Sequence, residues 1–338
     1  MRVVLVRLSA LGDIIHSWPL ALALQAIGTD IHLSWVVEEP FLPLVEGHPA
    51  VDSVFPVASR RWRRRPWSAR TRAETAALRG RFHELQPNLA LDPQGVFKSA
   101  LITRWTGATR RIGLARPWRR EWLAGFAYTE TVAGAEAGTH VIDTNLELVR
   151  AIGQDPLPAG PPDGAWLLER VLHRAPSGRW REPYAVMLPG AGKPDKILAG
   201  KTLAAVAREI STSRLDVVVA WGPGERPRAA AVVEAAGAGT HLAPPTDLEE
   251  LTALLGGASL VIGGDTGPVH LAASLGVPTL AVFLTTDWRR NGPLGARTAV
   301  VSGAAEPDAR STGSARAHPD REVGPEEIKR AARELLSR

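Results

Sequence analysis

Hydrophobic and polar positions along the chain fall into two alternating signatures. Short apolar runs that end at glycine, proline or a polar turn alternate with longer stretches whose apolar residues recur at helical spacing. The chain opens with VVLVRL (3–8), an apolar run broken only by Arg7. A tight turn follows at Ser9 to Gly12, then the apolar helix IIHSWPLALALQAI (14–27). Strand, turn and helix in that order open a doubly wound α/β domain. IHLSWVV (31–37), DSVFPV (52–57) and PNLALDP (87–93) predict further parallel strands. Helical patterns fall between and after them, at RAETAALRGRFHEL (72–85), VFKSALITRWTG (96–107) and VIDTNLELVRAIG (141–153).

A proline- and glycine-rich stretch, QDPLPAGPPDG (154–164), reads as a linker. A second α/β pattern then begins. Strands are predicted at YAVMLPG (184–190), LDVVVAWG (215–222), SLVIGG (259–264) and PTLAVFL (278–284), and helices at TLAAVAREI (202–210), 226–237, LEELTALLGGA (248–258) and HLAASLG (270–276). Residues 303–324 read as loop, and PEEIKRAARELLSR (325–338) as a closing amphipathic helix. At roughly 150 residues per domain, the 338 residues suggest two domains. The expected fold is α/β, with two doubly wound Rossmann-like domains facing across a cleft and ligands outside the carboxyl ends of the strands. The domains are expected over 1–160 and 175–310, with the boundary within 154–175 and helix 325–338 packing back on the first domain.

Composition narrows the chemistry. The chain has no cysteine, which excludes disulfides, thiolate metal sites and a cysteine nucleophile, and fits a reducing cytoplasm. The N-terminus lacks the run and cleavage site of a signal peptide, and no stretch reaches the roughly 18 apolar residues of a membrane span. The formal net charge is only +5, but the positive charge is clustered. SRRWRRRPWSARTR carries Arg60, Arg61, Arg63, Arg64 and Arg65 with Trp62 and Trp67, and RPWRREW carries Arg116, Arg119 and Arg120 with Trp118 and Trp122. Such stretches suit an anionic membrane interface or nucleic acid, or are a solvated basic surface. No nucleic-acid-binding module accompanies them.

The strongest chemical signal is SLVIGGDTGPVHLAASLGVPTLAVF. Glycines where a strand runs into a helix let backbone N–H groups approach a ligand, and the helix N-terminus favours an anion. Gly264 to Gly267 therefore read as a diphosphate cradle, with Thr266 adding a hydroxyl and His270 one turn into the helix. Asp265 would repel phosphate; it suits a sugar hydroxyl or an N-cap. The same turn also reads as an ordinary capped α/β connection.

The string D-T-G-P-x-H-L-A-A-x-L-G-x-P-T resembles glycosyltransferase family 9, the lipopolysaccharide heptosyltransferases. Four other places match in order: SALGDIIHSWP, which resembles the opening of the first heptosyltransferase rather than the second; DPQGVFKSAL (92–101) with RRIG (110–113); PGAGKPDKILAGK (189–201); and WGPGER (221–226). The resemblance implies the glycosyltransferase B-type fold and inverting transfer of L-glycero-D-manno-heptose from ADP-heptose onto Kdo-lipid A. It implies that Asp13 is the base; the residues themselves equally allow Asp13 as the N-cap of the helix that begins at Ile14. It implies that Lys196 neutralises the donor diphosphate, with Lys193 and Lys201 as neighbouring candidates. Glu225 would accept ribose hydroxyls, or be a first-turn acid, and Thr246 and Leu248 would contact adenine. Ser9, His16, Arg60, Arg61, Arg63, Arg64, Gln94, Lys98 and Arg120 form the acceptor set, with His16 also readable as a packed histidine. One stretch departs from the family: Leu284-Thr285-Thr286-Asp287-Trp288 keeps Thr286 and Asp287 but lacks the usual glycine and proline.

Neither a cofactor nor a metal is expected, because the cradle and Lys196 supply the positive charge. The expected setting is cytoplasmic and peripheral, on the inner face of the inner membrane, as a monomer that binds no nucleic acid. The competing readings are the second heptosyltransferase or another nucleotide-sugar transferase of this fold, and a non-enzymatic protein that binds anionic surfaces through its arginines.

Overall fold

The computed structural model describes residues 1–28, 30–136, 138–155, 160–178, 180–212, 215–303 and 322–337. The chain divides into two compact units, Met1–Gly160 and Pro161–Arg338. Strands of the first unit are β1 (Arg2–Val6), β2 (His32–Glu38), β3 (Ser53–Val57), β4 (Leu89–Asp92), β5 (Arg110–Leu114) and β6 (Glu130–Val132). Its helices are α1 (Leu11–Ile15), α2 (Trp18–Ala26), α3 (Ser59–Arg64), α4 (Ala69–Leu85), α5 (Phe97–Trp105) and α6 (Val141–Arg150), with 3-10 helices at Glu39–Leu44 and Trp122–Ala127. The strands form one parallel sheet in the order β3-β2-β1-β4-β5-β6. Helices cover both faces of such a sheet, so its central strands are apolar without alternation. Val3 to Val6 of β1 are accordingly all fully buried.

The second unit repeats the plan. Its strands are β7 (Tyr184–Leu188), β8 (Asp216–Val219), β9 (Thr240–Leu242), β10 (Leu260–Gly264), β11 (Thr279–Phe283) and β12 (Thr298–Ser302). Its helices are α7 (Ala165–Val171), α8 (Gly200–Thr212), α9 (Arg226–Ala236), α10 (Leu248–Gly256), α11 (Gly267–Ser274), α12 (Trp288–Asn291) and α13 (Pro325–Leu336). The parallel order is β12-β11-β10-β7-β8-β9. Renumbered from one, this is the order of the first sheet. In each, the strand order reverses between the first and fourth strands, and the crevice at that switch point is where doubly wound sheets hold ligands.

Two expectations about the domains are corrected. The second unit begins at Pro161 rather than near 175, because α7 buries Leu167 and Val171 and packs on α10. The closing helix does not return to the first unit. Ile328, Ala332 and Leu335 of α13 are buried in the second unit's core with Leu203, Leu280 and Val301. The centre of the expected linker and most of the loop expected over 303–324 lie outside the described residues.

Candidate active site

In the first unit, the turns after β1 and β4 meet at the switch point. Gln94 ties them together: its Oε1 accepts from the Leu8 N–H at 2.8 Å, and its amide nitrogen lies 3.5 Å from Ser9 Oγ. The β4 turn is braced from below by Asp92, whose side chain is fully buried. Its Oδ1 accepts from the N–H groups of Gln94 and Gly95, and its Oδ2 from the Ser99 and Tyr128 hydroxyls, each bond 2.8–3.0 Å long. Burial pushes the Asp92 carboxyl above its ordinary range, and these four donors work against that shift. Gly113 of the RRIG motif leaves room for Tyr128: a Cβ there would stand 2.3 Å from the tyrosine ring.

Above this brace Lys98 Nζ donates to Ser9 Oγ at 3.1 Å and lies 3.6 Å from Glu38 Oε1. Glu38 is buried at the end of β2 and also accepts from the Ser59 hydroxyl. Partial burial pulls the Lys98 ammonium below its ordinary value; Glu38 opposes the shift, while Arg60 and Arg63 add to it. Those two arginines therefore stand within electrostatic reach of Lys98.

Asp13 is at the third position of α1, not at its N-cap, which is Ala10. Its Oδ2 reaches back to the Ala10 N–H at 3.3 Å and lies 3.4 Å from Arg120 Nη1. Beneath it is a polar network that the sequence reading passed over. Arg7, 3% exposed, donates through Nε to Ser17 Oγ at 3.0 Å and through Nη2 to Asn145 Oδ1 at 3.3 Å, and Ser17 Oγ donates to the Asp13 carbonyl. Burial lowers the Arg7 pKa, against the opposing charge of Asp13. The signal was available as a lone arginine inside an apolar strand.

In the second unit, β10 runs into α11 through Gly264-Asp265-Thr266. Gly264 is required by close approach, since a Cβ there would meet the Lys196 carbonyl oxygen at 3.0 Å. Thr266 is the N-cap residue of α11, but its side chain makes no capping bond. Its hydroxyl and that of Thr285 are buried without a partner among the described residues. A buried hydroxyl left unpaired costs about 1–3 kcal/mol, so such a group at a strand mouth points to a ligand.

Asp265 pairs with Lys196, accepts from Thr286 Oγ1 at 2.7 Å, and has His270 Nε2 3.7 Å away. Burial raises the Asp265 carboxyl, but His270, the Lys196 charge and the Thr286 hydroxyl outweigh it and hold the group well below the carboxylate range. Thr266 rather than Asp265 is the N-cap of α11, and both the Lys196 and Thr286 contacts fall on Oδ2 of Asp265. Of the three candidate lysines, Lys196 lies against this turn, while Lys193 and Lys201 are exposed. Glu225 sits at the start of α9, where its Oε2 accepts from the Gly222 N–H at 2.8 Å. Its carboxylate lies over Gly190 beyond β7, where a Cβ would come within 1.9 Å of Oε1. Thr246 and Leu248 follow β9, and Asp247 between them caps α10.

Residues 76–317 match the model of glycosyltransferase family 9 (heptosyltransferase). The chain belongs to that family. It is therefore a glycosyltransferase. It is 34% identical over 288 residues to lipopolysaccharide heptosyltransferase 1 of Pseudomonas aeruginosa, covering 85% of this chain and 79% of that one. It is 32% identical over 290 residues to the protein of the same name from Salmonella typhimurium, covering 85% and 89%. Its fold matches the solved structure of E. coli heptosyltransferase WaaC with ADP, with a TM-score of 0.80 and 28% identity over 99% of this chain and all of the other.

Within this glycosyltransferase several expected contact residues have other partners. His16 is buried, with its ring edge-on to His140 at 5.1 Å, which is the packed alternative. The Gln94 amide is taken up by the β1 turn. Arg61 is held by Glu39 and Glu74, leaving Arg60, Arg63 and Arg64 exposed on or beside α3. Trp62 packs inward and donates to Glu74, and Trp118 donates to the Ala135 carbonyl, while Trp67 and Trp122 are exposed. In the departing stretch after β11, Thr286 donates to Asp265 and Asp287 caps α12. Among the described residues there is no cluster of histidine and carboxylate side chains able to hold a metal, and no helix long and apolar enough to cross a membrane.

Proposed function

We propose that this glycosyltransferase moves L-glycero-D-manno-heptose from ADP-heptose onto a Kdo sugar of the lipopolysaccharide inner core, with inversion and without a metal. The observation that carries the reading is the order of sites along the second sheet. The carboxyl ends of β10, β7, β8 and β9 lie side by side and carry in turn Thr266, Lys196, Glu225 and Thr246 with Leu248. Neighbouring strands are about 4.8 Å apart, so the β8 end is about 10 Å and the β9 end about 14 Å from β10. That spacing suits a nucleoside diphosphate laid across the strand ends, with diphosphate at the Thr266 turn, ribose at Glu225 and adenine beyond β9.

The chemistry follows from the same residues. As the bond from the anomeric carbon to the diphosphate breaks, negative charge develops on the leaving oxygen. Lys196, the Thr266 hydroxyl and the backbone N–H groups of the turn stabilise it. The acceptor hydroxyl attacks the opposite face of that carbon and gives its proton to Asp13. Lys98, Arg60 and Arg63 supply positive charge for an acidic acceptor sugar, and Arg120 holds Asp13 from the side. The test is a transfer assay on a Kdo-bearing acceptor with ADP-heptose, other ADP-sugars, and GDP- and UDP-sugars, with and without a chelator. ADP-heptose should be preferred and the chelator without effect. Equal use of a UDP- or GDP-sugar would overturn the donor assignment.

A further inference from the structure

The 3-10 helix Trp122–Ala127 is apolar on both sides. One side completes the fold: Ala124 and Ala127 are fully buried against Ala100 of α5 and Tyr128. The other carries Trp122, Leu123 and Phe126, which are 64%, 47% and 46% exposed. Phe97, at the start of α5, extends this corner and is 46% exposed, with its ring 5.5 Å from that of Phe126. Single exposed apolar residues are ordinary; a contiguous group of three aromatic rings and a leucine marks a contact surface.

Positive charge lies beside it. The Arg116 guanidinium lies 5.7 Å from the centre of the Trp122 ring, and Arg116 and Arg120, in the segment leading into the 3-10 helix, are both exposed. From Ala115 to Ala127 the one acidic residue is Glu121, whose carboxylate is taken by the Phe97 N–H at 2.7 Å. We propose that this corner is the surface by which the protein lies on an anionic lipid bilayer. The rings and Leu123 enter the boundary between headgroups and acyl chains, and the guanidiniums meet lipid phosphates. A second copy of the chain fits poorly, because a two-fold contact through this corner sets arginines against arginines. The segment also carries Arg120, which reaches Asp13, so a bilayer docked here lies beside the proposed base. That last link rests on the proposed function; the docking itself does not.

The test uses the full chain with vesicles of phosphatidylglycerol and phosphatidylcholine, and of phosphatidylcholine alone, in a sedimentation assay. Wild type should bind the anionic vesicles and bind phosphatidylcholine weakly. Trp122→Ser with Phe126→Ser should lower the partition coefficient about tenfold or more, and Arg116→Gln should lower it on anionic vesicles alone. Thermal unfolding of the double variant should match wild type, since both side chains are exposed. Turnover of a lipid-borne acceptor in vesicles should fall in parallel, while turnover of its deacylated, water-soluble form stays unchanged. Vesicle binding by the double variant equal to wild type would overturn the proposal. So would a wild-type dimer in sedimentation velocity that the double variant abolishes. If vesicle binding behaves as stated and neither acceptor is used, docking stands and the proposed function fails.

Discussion

Replacing Asp13 with asparagine separates catalysis from helix architecture. In the structure the carboxylate makes two contacts, one to the Ala10 N–H at 3.3 Å and one to Arg120 at 3.4 Å. Asparagine keeps an acceptor for the first. The second involves an Arg120 side chain that is 59% exposed, and such pairs contribute about 1 kcal/mol at most. Asp13→Asn should therefore shift the unfolding midpoint by no more than a few degrees. A base that accepts the acceptor's proton contributes about 10²–10⁴ in rate, or about 2.7–5.5 kcal/mol of barrier. Steady-state kcat at saturating donor and acceptor should fall by that factor, while calorimetry shows an unchanged ADP affinity. No neighbouring carboxylate can take over, because Asp92 is sealed by four donors and Glu38 is buried against Lys98 and Ser59. A kcat within a few-fold of wild type would show that Asp13 serves only the helix turn.

Three further outcomes are expected. Thr266→Val removes the unpartnered hydroxyl and should weaken ADP binding by about 1.5–3 kcal/mol; unchanged affinity by titration calorimetry would remove Thr266 from the diphosphate site. Neutralising Arg60 and Arg63 to glutamine should raise the acceptor KM without altering ADP affinity, and added salt should have a similar effect on wild type, because exposed charges are screened over about 8–10 Å. An acceptor KM insensitive to both would leave these arginines as plain surface. His48 is buried beside the Trp18 and Trp35 rings, its Nδ1 accepts from the Ala50 N–H, and burial pushes its pKa down to about 4. The folded pKa lies below the unfolded value near 6.5, so the unfolded chain takes up the proton first. Stability is full above about pH 6.5 and falls as pH drops towards 4, by about 3 kcal/mol in all. In urea unfolding across that window His48→Gln should flatten the slope, and an unchanged slope would show that His48 does not set it.

Strands buried on both faces were legible, and of the four strands at the sheet margins only β3, read from DSVFPV, was. β1, β2, β4, β7, β8, β10 and β11 are apolar runs because helices cover both their faces. The other three edges, β6, β9 and β12, read ETV, THL and TAVVS and are only partly buried, so no apolar run announces them. β5 begins with two arginines for a local reason: Arg110 pairs with Glu130 across the edge and Arg111 donates to the Ala108 and Ala127 carbonyls. At the site, the spacing of Gly264 to Gly267 marked a turn that a ligand can approach. That Asp265 and Lys196 neutralise one another could not be read, because they lie 69 residues apart and meet only when β7 and β10 become neighbours.

The two sheets share one strand order, yet the turn after β1 in the first and the turn after β10, the fourth strand of the second, carry different charge at the two switch points, a difference that suits the proposed acceptor and donor roles. In the first unit α1, the helix after β1, carries the Asp13 carboxylate in its first turn, with the Lys98 ammonium donating to Ser9 in the turn before it. That arrangement repels a diphosphate at the helix and admits a hydroxyl. In the second unit the turn after β10 also bears a carboxylate, but Lys196, Thr286 and His270 surround Asp265 and cancel its field. With that field cancelled, the buried, unpartnered Thr266 hydroxyl and the positive end of α11 join Lys196 in favouring an anion. The reasoning commits to a consequence: Asp265→Asn releases Lys196 from its partner. ADP affinity should then rise with no increase in the ADP-heptose KM, whereas a role for Asp265 in gripping the donor sugar would raise the ADP-heptose KM and leave ADP affinity untouched.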